Sequence, residues 1–146
     1  MALPDEPVDP DQPPSGRPGA DALLAVALGG AIGATARYEA GLRWPVHAGD
    51  FPTTTFLVNT TGAFAIGFVL TVLLARWPAH RYARPFLCVG LLGGWTTMST
   101  LAVEADLLVR DGHAATATAY VVTTTIAGLL ATVAGMVAGR RLKATA

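Results

Sequence analysis

Eight consecutive residues, Gly93-Gly94-Trp95-Thr96-Thr97-Met98-Ser99-Thr100, set two helix-weakening glycines beside four hydroxyls in the middle of a long apolar run. In lipid, a helix that breaks at such a place releases backbone carbonyls, which protein or a polar cavity must then satisfy. Those carbonyls can coordinate a cation, and the hydroxyls of Thr96, Thr97, Ser99 and Thr100 can solvate an anion. The passage equally fits a glycine-permitted kink whose hydroxyls bond back to the preceding turn. Asn59, inside another apolar run, offers two amide donors of the kind a desolvated anion needs, or a polar bridge between helices. Thr123, Thr124 and Thr125 carry the same pair of readings, and at least one of three consecutive threonines must face away from the others.

The remaining polar residues fit the ends of the apolar runs. Arg37 reaches an interface by snorkelling beside Glu39, and Glu104 and Asp106 mark the outer end of a run. Cys88 is the single cysteine, so it forms no intramolecular disulfide and reads as a small packing residue. The chain presents no nucleophile paired with a base, no metal-ligand cluster and no glycine loop between a strand and a helix, so it does not read as an enzyme. Ten basic and ten acidic residues cancel. No basic stripe with interleaved aromatics appears, which argues against nucleic acid as a partner.

The elements that must position these residues are membrane spans. About half of the 146 residues are apolar (52%) and 14% are charged, with the charges gathered between long apolar stretches rather than along helix faces. At 1.5 Å per residue, about 20 residues cross a hydrocarbon core. The runs predict four spans, at about 22–42, 55–75, 85–109 and 116–138, within one all-α domain of residues 21–143. Arg76-Trp77-Pro78 ends the second and Gly139-Arg140-Arg141 the fourth. Residues 1–20 hold six prolines and four acids and read as a disordered tail, with a short tail at 144–146. That segment lacks the basic start and apolar stretch of a secretory signal, so the first span is expected to be retained. Three Gly-x-x-x-Gly spacings, Gly29/Gly33, Gly90/Gly94 and Gly135/Gly139, predict close helix packing within or between subunits. Four spans without an evident repeat make an oligomer the economical way to build a pathway.

Several stretches together resemble one family, the Fluc (CrcB-type) fluoride channels. Gly29-Gly30-Ala31-Ile32-Gly33-Ala34 with Arg37-Tyr38 is similar to its first-helix signature, Pro52 to Gly62 with Val58-Asn59 to its second, and Gly90 to Glu104 to its third. Tyr120 and Gly128-Leu129-Leu130-Ala131 are similar to its fourth, so that the resemblance covers about residues 22–142. It implies an antiparallel dimer in the plasma membrane, with fluoride passing along two pores and a structural Na+ at the dimer centre. By position the sodium would sit on the backbone carbonyls of Gly93 and Thr96. The pore would take Asn59, Thr97, Met98, Ser99, Thr100, Leu101 and Thr124, with Arg37 and Gly94 as structural positions. Where the family usually has two phenylalanines three residues apart, this chain has Met98 and Leu101, which keep an apolar wall but offer no ring edge to an anion.

Two other readings compete. A small proton-coupled drug exporter also uses four spans, but needs an acid in mid-membrane, and Glu39 lies near a helix end. A non-conducting assembly subunit would fit the absent phenylalanines. Charge sets the orientation: Arg17, Arg76, Arg81, Arg84, Arg140, Arg141 and Lys143 fall on one side, against Arg43 and Arg110 on the other, with Arg37 at the edge of the first span. This predicts both termini in the cytoplasm. A subunit so biased cannot readily insert both ways, so the antiparallel partner is expected to be a homologous second subunit.

Overall fold

The computed structural model describes residues 19–76 and 81–144, and its regular elements are all helices. The proline-rich segment read as a tail lies outside the described residues up to Pro18, as do Trp77 and Pro78. Helix α1 spans Ala20–Arg43 and α2 Thr53–Arg76. The third span is composite, with a π-helical segment Pro85–Leu92, a short α3 (Gly93–Trp95), and α4 (Met98–Arg110). Helix α5 spans Ala114–Ala144. Among the described residues four stretches are long and apolar enough to cross a membrane: Ala20–Arg43, Thr53–Leu73, Pro85–Arg110 and Ala114–Leu142. The chain is a multi-pass membrane protein, and its apolar residues face outward accordingly, Leu28, Ile32, Leu129 and Leu130 among them.

Glycine decides how the spans pair. A Cβ on Gly33 would overlap the Leu91 carbonyl oxygen, and one on Gly29 that of Phe86. From the other side, a Cβ on Gly90 would stand 2.6 Å from Val26 O, and one on Gly94 2.6 Å from Gly30 O. The first two Gly-x-x-x-Gly pairs therefore face each other, and the backbones of α1 and the first half of the third span touch directly. Helices α2 and α5 also meet closely, with Gly67 against Thr132 O, Gly135 between Phe64 O and Phe68 N, and Gly139 against Thr71 Cβ. In both pairs residue number rises together, so α1 runs parallel to the third span and α2 parallel to α5.

The fourth span differs from its expected end. Gly139 does not stop the helix, because it is buried against Thr71 of α2, and the helix continues to Ala144. Tight turns fall instead at Gly49 and Gly112, whose φ values of +87° and +86° suit glycine.

Candidate functional site

The third span breaks at Thr96 and Thr97, which adopt extended backbone (φ −76°, ψ 157° and φ −150°, ψ 119°), one turn later than the glycines. Gly93 and Gly94 remain helical; Gly94 serves the contact with α1, while a Cβ on Gly93 would meet only Cys88 O, at an ordinary contact distance of 3.9 Å. What holds the break open is Asn59 of α2. Its Oδ1 accepts from Thr97 N–H (2.7 Å) and its Nδ2 donates to Thr97 C=O (2.9 Å), so one side chain pairs both polar groups of a single peptide residue. Thr97 then caps α4, its Oγ1 accepting from Thr100 N–H at 3.1 Å. The cap belongs to a hydroxyl chain, in which Thr97 Oγ1 donates to Thr100 Oγ1 (2.9 Å) and lies 3.2 Å from Ser99 Oγ.

These redirected bonds have a consequence for the carbonyls. In a continuous helix Thr97 N–H would meet Gly93 C=O and Thr100 N–H would meet Thr96 C=O. Asn59 and the Thr97 hydroxyl take those two donors, and among the described residues neither carbonyl receives a backbone N–H. Gly93 is also exposed on the subunit surface. Thr96 behaves as the kink reading requires, its Oγ1 bonding back to Leu92 O at 3.0 Å.

Arg37 does not pair with Glu39, which lies 3.7 Å from Arg43. It crosses to the break, its Nε donating to Gly94 C=O at 3.1 Å. A cavity of about 360 Å³ opens above this point, with Arg37, Thr54, Thr55, Thr97, Thr100 and Glu104 on its wall. One cation, five hydroxyl-bearing side chains with Tyr38 counted, and one carboxylate therefore line a single space between α1, α2 and α4.

Glu104 is more than the marker of a span end. Its Oε1 accepts from Thr55 Oγ1 (2.9 Å) and its Oε2 from Tyr120 O–H (2.7 Å). Tyr120 is wholly buried, in a cluster with Leu101, Leu108 and Ala117, and its ring meets Phe51 edge-on at 5.4 Å. Two donors satisfy the carboxylate inside the subunit, which an acid within a span requires. Thr55 and Tyr120 carried no chemical expectation from the sequence. The available signal was Glu104 itself, placed inside an apolar run and six residues short of its end at Arg110.

The other expected site residues divide. Met98 is 77% exposed and Ser99 is exposed, both on the outside of the subunit, whereas Leu101 packs into the Tyr120 cluster. Met98 and Leu101, three residues apart, therefore do not form one wall within a single subunit. Thr124 is buried, and its hydroxyl has no hydrogen-bond partner; the Thr60 hydroxyl shares that condition. Thr125 bonds its own helix at Val121 O (2.8 Å). Trp95 ties the break to α2, its Nε1 donating to Thr61 Oγ1 at 3.1 Å.

Comparison with known proteins places this arrangement. Residues 24–136 match the family described as CrcB-like protein, Camphor Resistance (CrcB). The chain is 52% identical over 105 residues to "Fluoride-specific ion channel FluC 2" of Streptomyces avermitilis, covering 72% of this chain and 66% of the relative. It is 49% identical over 118 residues to "Fluoride-specific ion channel FluC 3" of the same organism, covering 81% of this chain and 58% of the relative. With "Fluoride-specific ion channel FluC 1" of Streptomyces coelicolor it shares 47% identity over 123 residues, 84% of this chain and 80% of the relative. The chain thus spans about three fifths to two thirds of the two Streptomyces avermitilis proteins and four fifths of the third. Four spans, a third span broken beside an α2 asparagine and a family match from the first span into the last make this chain a member of the CrcB family.

Proposed function

We propose that the chain is a subunit of a fluoride-selective channel that lowers cytoplasmic fluoride by passive export. The observation that carries this reading is the break at Thr96 and Thr97, clamped by Asn59 and adjoining a cavity of hydroxyls with Arg37 at its floor, in a chain whose relatives bear the name of fluoride channels. Fluoride is small and strongly hydrated, so a selective path must replace its water with N–H, O–H and ring-edge donors. The second Nδ2 hydrogen of Asn59 and the hydroxyls of Thr97, Ser99, Thr100 and Thr124 are donors of that kind, with Met98 as apolar wall on the subunit surface and Leu101 behind it in the Tyr120 cluster. No energy source is needed, because a weak acid that enters neutral and ionises inside accumulates there, and a selective leak dissipates it.

The assembly belongs to the same reading. Gly93 and Thr96 would hold a structural Na+ through their carbonyls, where the ion supplies a fixed positive charge at the dimer centre. The absence of helical donors at both carbonyls and the exposure of Gly93 support that role. The dimer is antiparallel, in the plasma membrane, and this subunit inserts with both termini in the cytoplasm because its basic residues gather on that side. Its partner is then a homologous subunit of inverted bias, which contributes the ring edges that Met98 and Leu101 lack. Those two residues also favour a second reading, a non-conducting assembly subunit.

Anion efflux from liposomes tests the proposal, with this chain alone and then with any homologue encoded beside it. Fluoride is expected to leave and chloride to stay behind when both subunits are present. Equal passage of the two ions, or of neither, overturns the function. Robust fluoride flux from this chain alone overturns the need for a partner, and a C-terminal reporter found outside intact cells overturns the orientation.

A further inference from the structure

Two cavities meet at the end of the bundle where the chain passes from α1 to α2. The first is the space of about 360 Å³ that reaches down to Arg37, Thr97 and Thr100 beside the break. The second, of about 310 Å³, lies beneath the connection itself, walled by His47, Gly49, Asp50, Leu107 and Asp111. His47, Asp50 and Asp111 are exposed, which puts this second cavity at the watery end of the bundle. The two cavities have only two lining residues in common, Val46 and Glu104. Those two side chains form the partition between the bundle end and the polar groups at the break.

The halves of this partition are held with unequal firmness. Glu104 stands on α4 with its carboxylate fixed by Thr55 and Tyr120. Val46 stands in the non-helical connection after Pro45, and its isopropyl group can make no hydrogen bond. The connection is tied on both sides of it. Trp44 N–H donates to Ala40 C=O (3.0 Å) and Thr54 Oγ1 donates to Trp44 C=O, while Asp50 N–H donates to His47 C=O (3.1 Å). Gly49 makes its turn at φ +87° against the His113 ring. Val46 also borders a third space of about 890 Å³, lined by Phe51, Leu57 and Trp95, into which its side chain has room to turn. An apolar group between two polar spaces opposes the passage of water and ions, and such constrictions gate by dewetting.

We propose that Val46 is a gate residue: its side chain separates the cavity at the break from the cavity at the bundle end, and its size sets how fast a small hydrophilic anion passes between them. The fluoride reading supplies only the identity of the anion that uses this route. Thiol labelling tests the gate without any measurement of flux. In the full-length chain with Cys88→Ala, Thr100→Cys places one thiol on the wall of the cavity at the break. A negatively charged methanethiosulfonate reagent is supplied on both sides of a proteoliposome membrane. Val46→Ala is expected to raise the labelling rate several-fold and Val46→Phe to lower it several-fold. Val103→Ala, on the exposed face of α4, should leave it unchanged. Should Val46→Phe fold poorly, Val46→Ala decides alone, and a rate equal to the parent's, or no labelling in either, overturns the gate. Fluoride efflux from the same liposomes keeps the two readings apart. Labelling that follows Val46 without efflux from any assembly retains the gate and removes fluoride, whereas efflux with labelling indifferent to Val46 retains fluoride and removes the gate.

Discussion

The two halves of the third span are held by different physics. From Pro85 to Trp95 the chain packs on α1 backbone to backbone, through Gly29, Gly33, Gly90 and Gly94, with almost no side chain between them. From Met98 to Arg110 it packs on α5 through side chains, Leu101 and Leu108 against Ala117 and Tyr120, and through the Glu104 carboxylate. The first half is an anchor with no room for change, and the second offers hydroxyls and a carboxylate to a cavity. Asn59 stands at the junction and keeps the two from fusing into one helix.

The largest effect should come from filling the backbone contact. Gly33→Leu or Gly90→Leu forces a side chain into a carbonyl, and overpacking of this kind costs about 1–3 kcal/mol or more where backbone must move. Folded protein recovered by size exclusion in detergent should fall to a small fraction of the parent. Gly93→Ala, which meets only Cys88 O at 3.9 Å, should leave the yield of the subunit unchanged. If both glycine classes tolerate substitution alike, the contrast between anchor and open surface is wrong.

Breaking the junction comes next. Asn59→Ala leaves Thr97 N–H without its partner, a loss of about 1–3 kcal/mol for a buried group, and thermal stability should drop measurably. Fluoride flux per folded dimer should fall further still, since the same change removes a donor. Asn59→Asp keeps the acceptor for Thr97 N–H but sets a negative charge beside the path, so stability should recover in part while flux stays low. Unchanged flux per folded dimer in both variants would remove Asn59 from the pathway and leave it a clamp only.

Within the second half, Glu104→Gln replaces one of two acceptor oxygens with a donor, so Thr55 and Tyr120 can no longer both donate to it. A destabilisation of about 1–2 kcal/mol is expected, read as a shift in thermal unfolding. Thr55→Val should cost about half as much, because Glu104 keeps its Tyr120 donor. The smallest effect belongs to Thr124→Val, which removes a buried hydroxyl that has no partner inside the subunit. Stability should stay within about 0.5 kcal/mol or rise slightly. A fall in fluoride flux at unchanged stability would then assign that hydroxyl to the ion.

Much of the architecture was legible in residue order alone. Four apolar runs predict four spans, because lipid admits only segments that satisfy their own backbone over about 20 residues, and the helices follow with ends shifted by a few residues. The break was legible to within a turn. Its cause was misplaced on the glycines, since a glycine inside a span reads the same whether it bends a helix or admits a neighbour. Glu104 read as a boundary charge for a similar reason: hydropathy reports depth along one helix, and its partners Thr55 and Tyr120 come from two others.

What the sequence determined by itself is therefore everything that depends on spacing along one chain: span number, glycine faces, the basic excess at one end and the passage where a helix weakens. The tertiary structure alone decided which glycine face meets which, that Asn59 takes the N–H of Thr97 from Gly93, that Arg37 goes to Gly94 and not Glu39, and that Leu101 turns inward while Met98 turns out. Each of these is a choice among partners of similar chemistry, such as one glycine face or another, a backbone carbonyl or an amide oxygen for the same N–H. Residue type restricts such choices, but only the packing of α1 and α2 against the third span brings one partner within bonding distance and moves the others away.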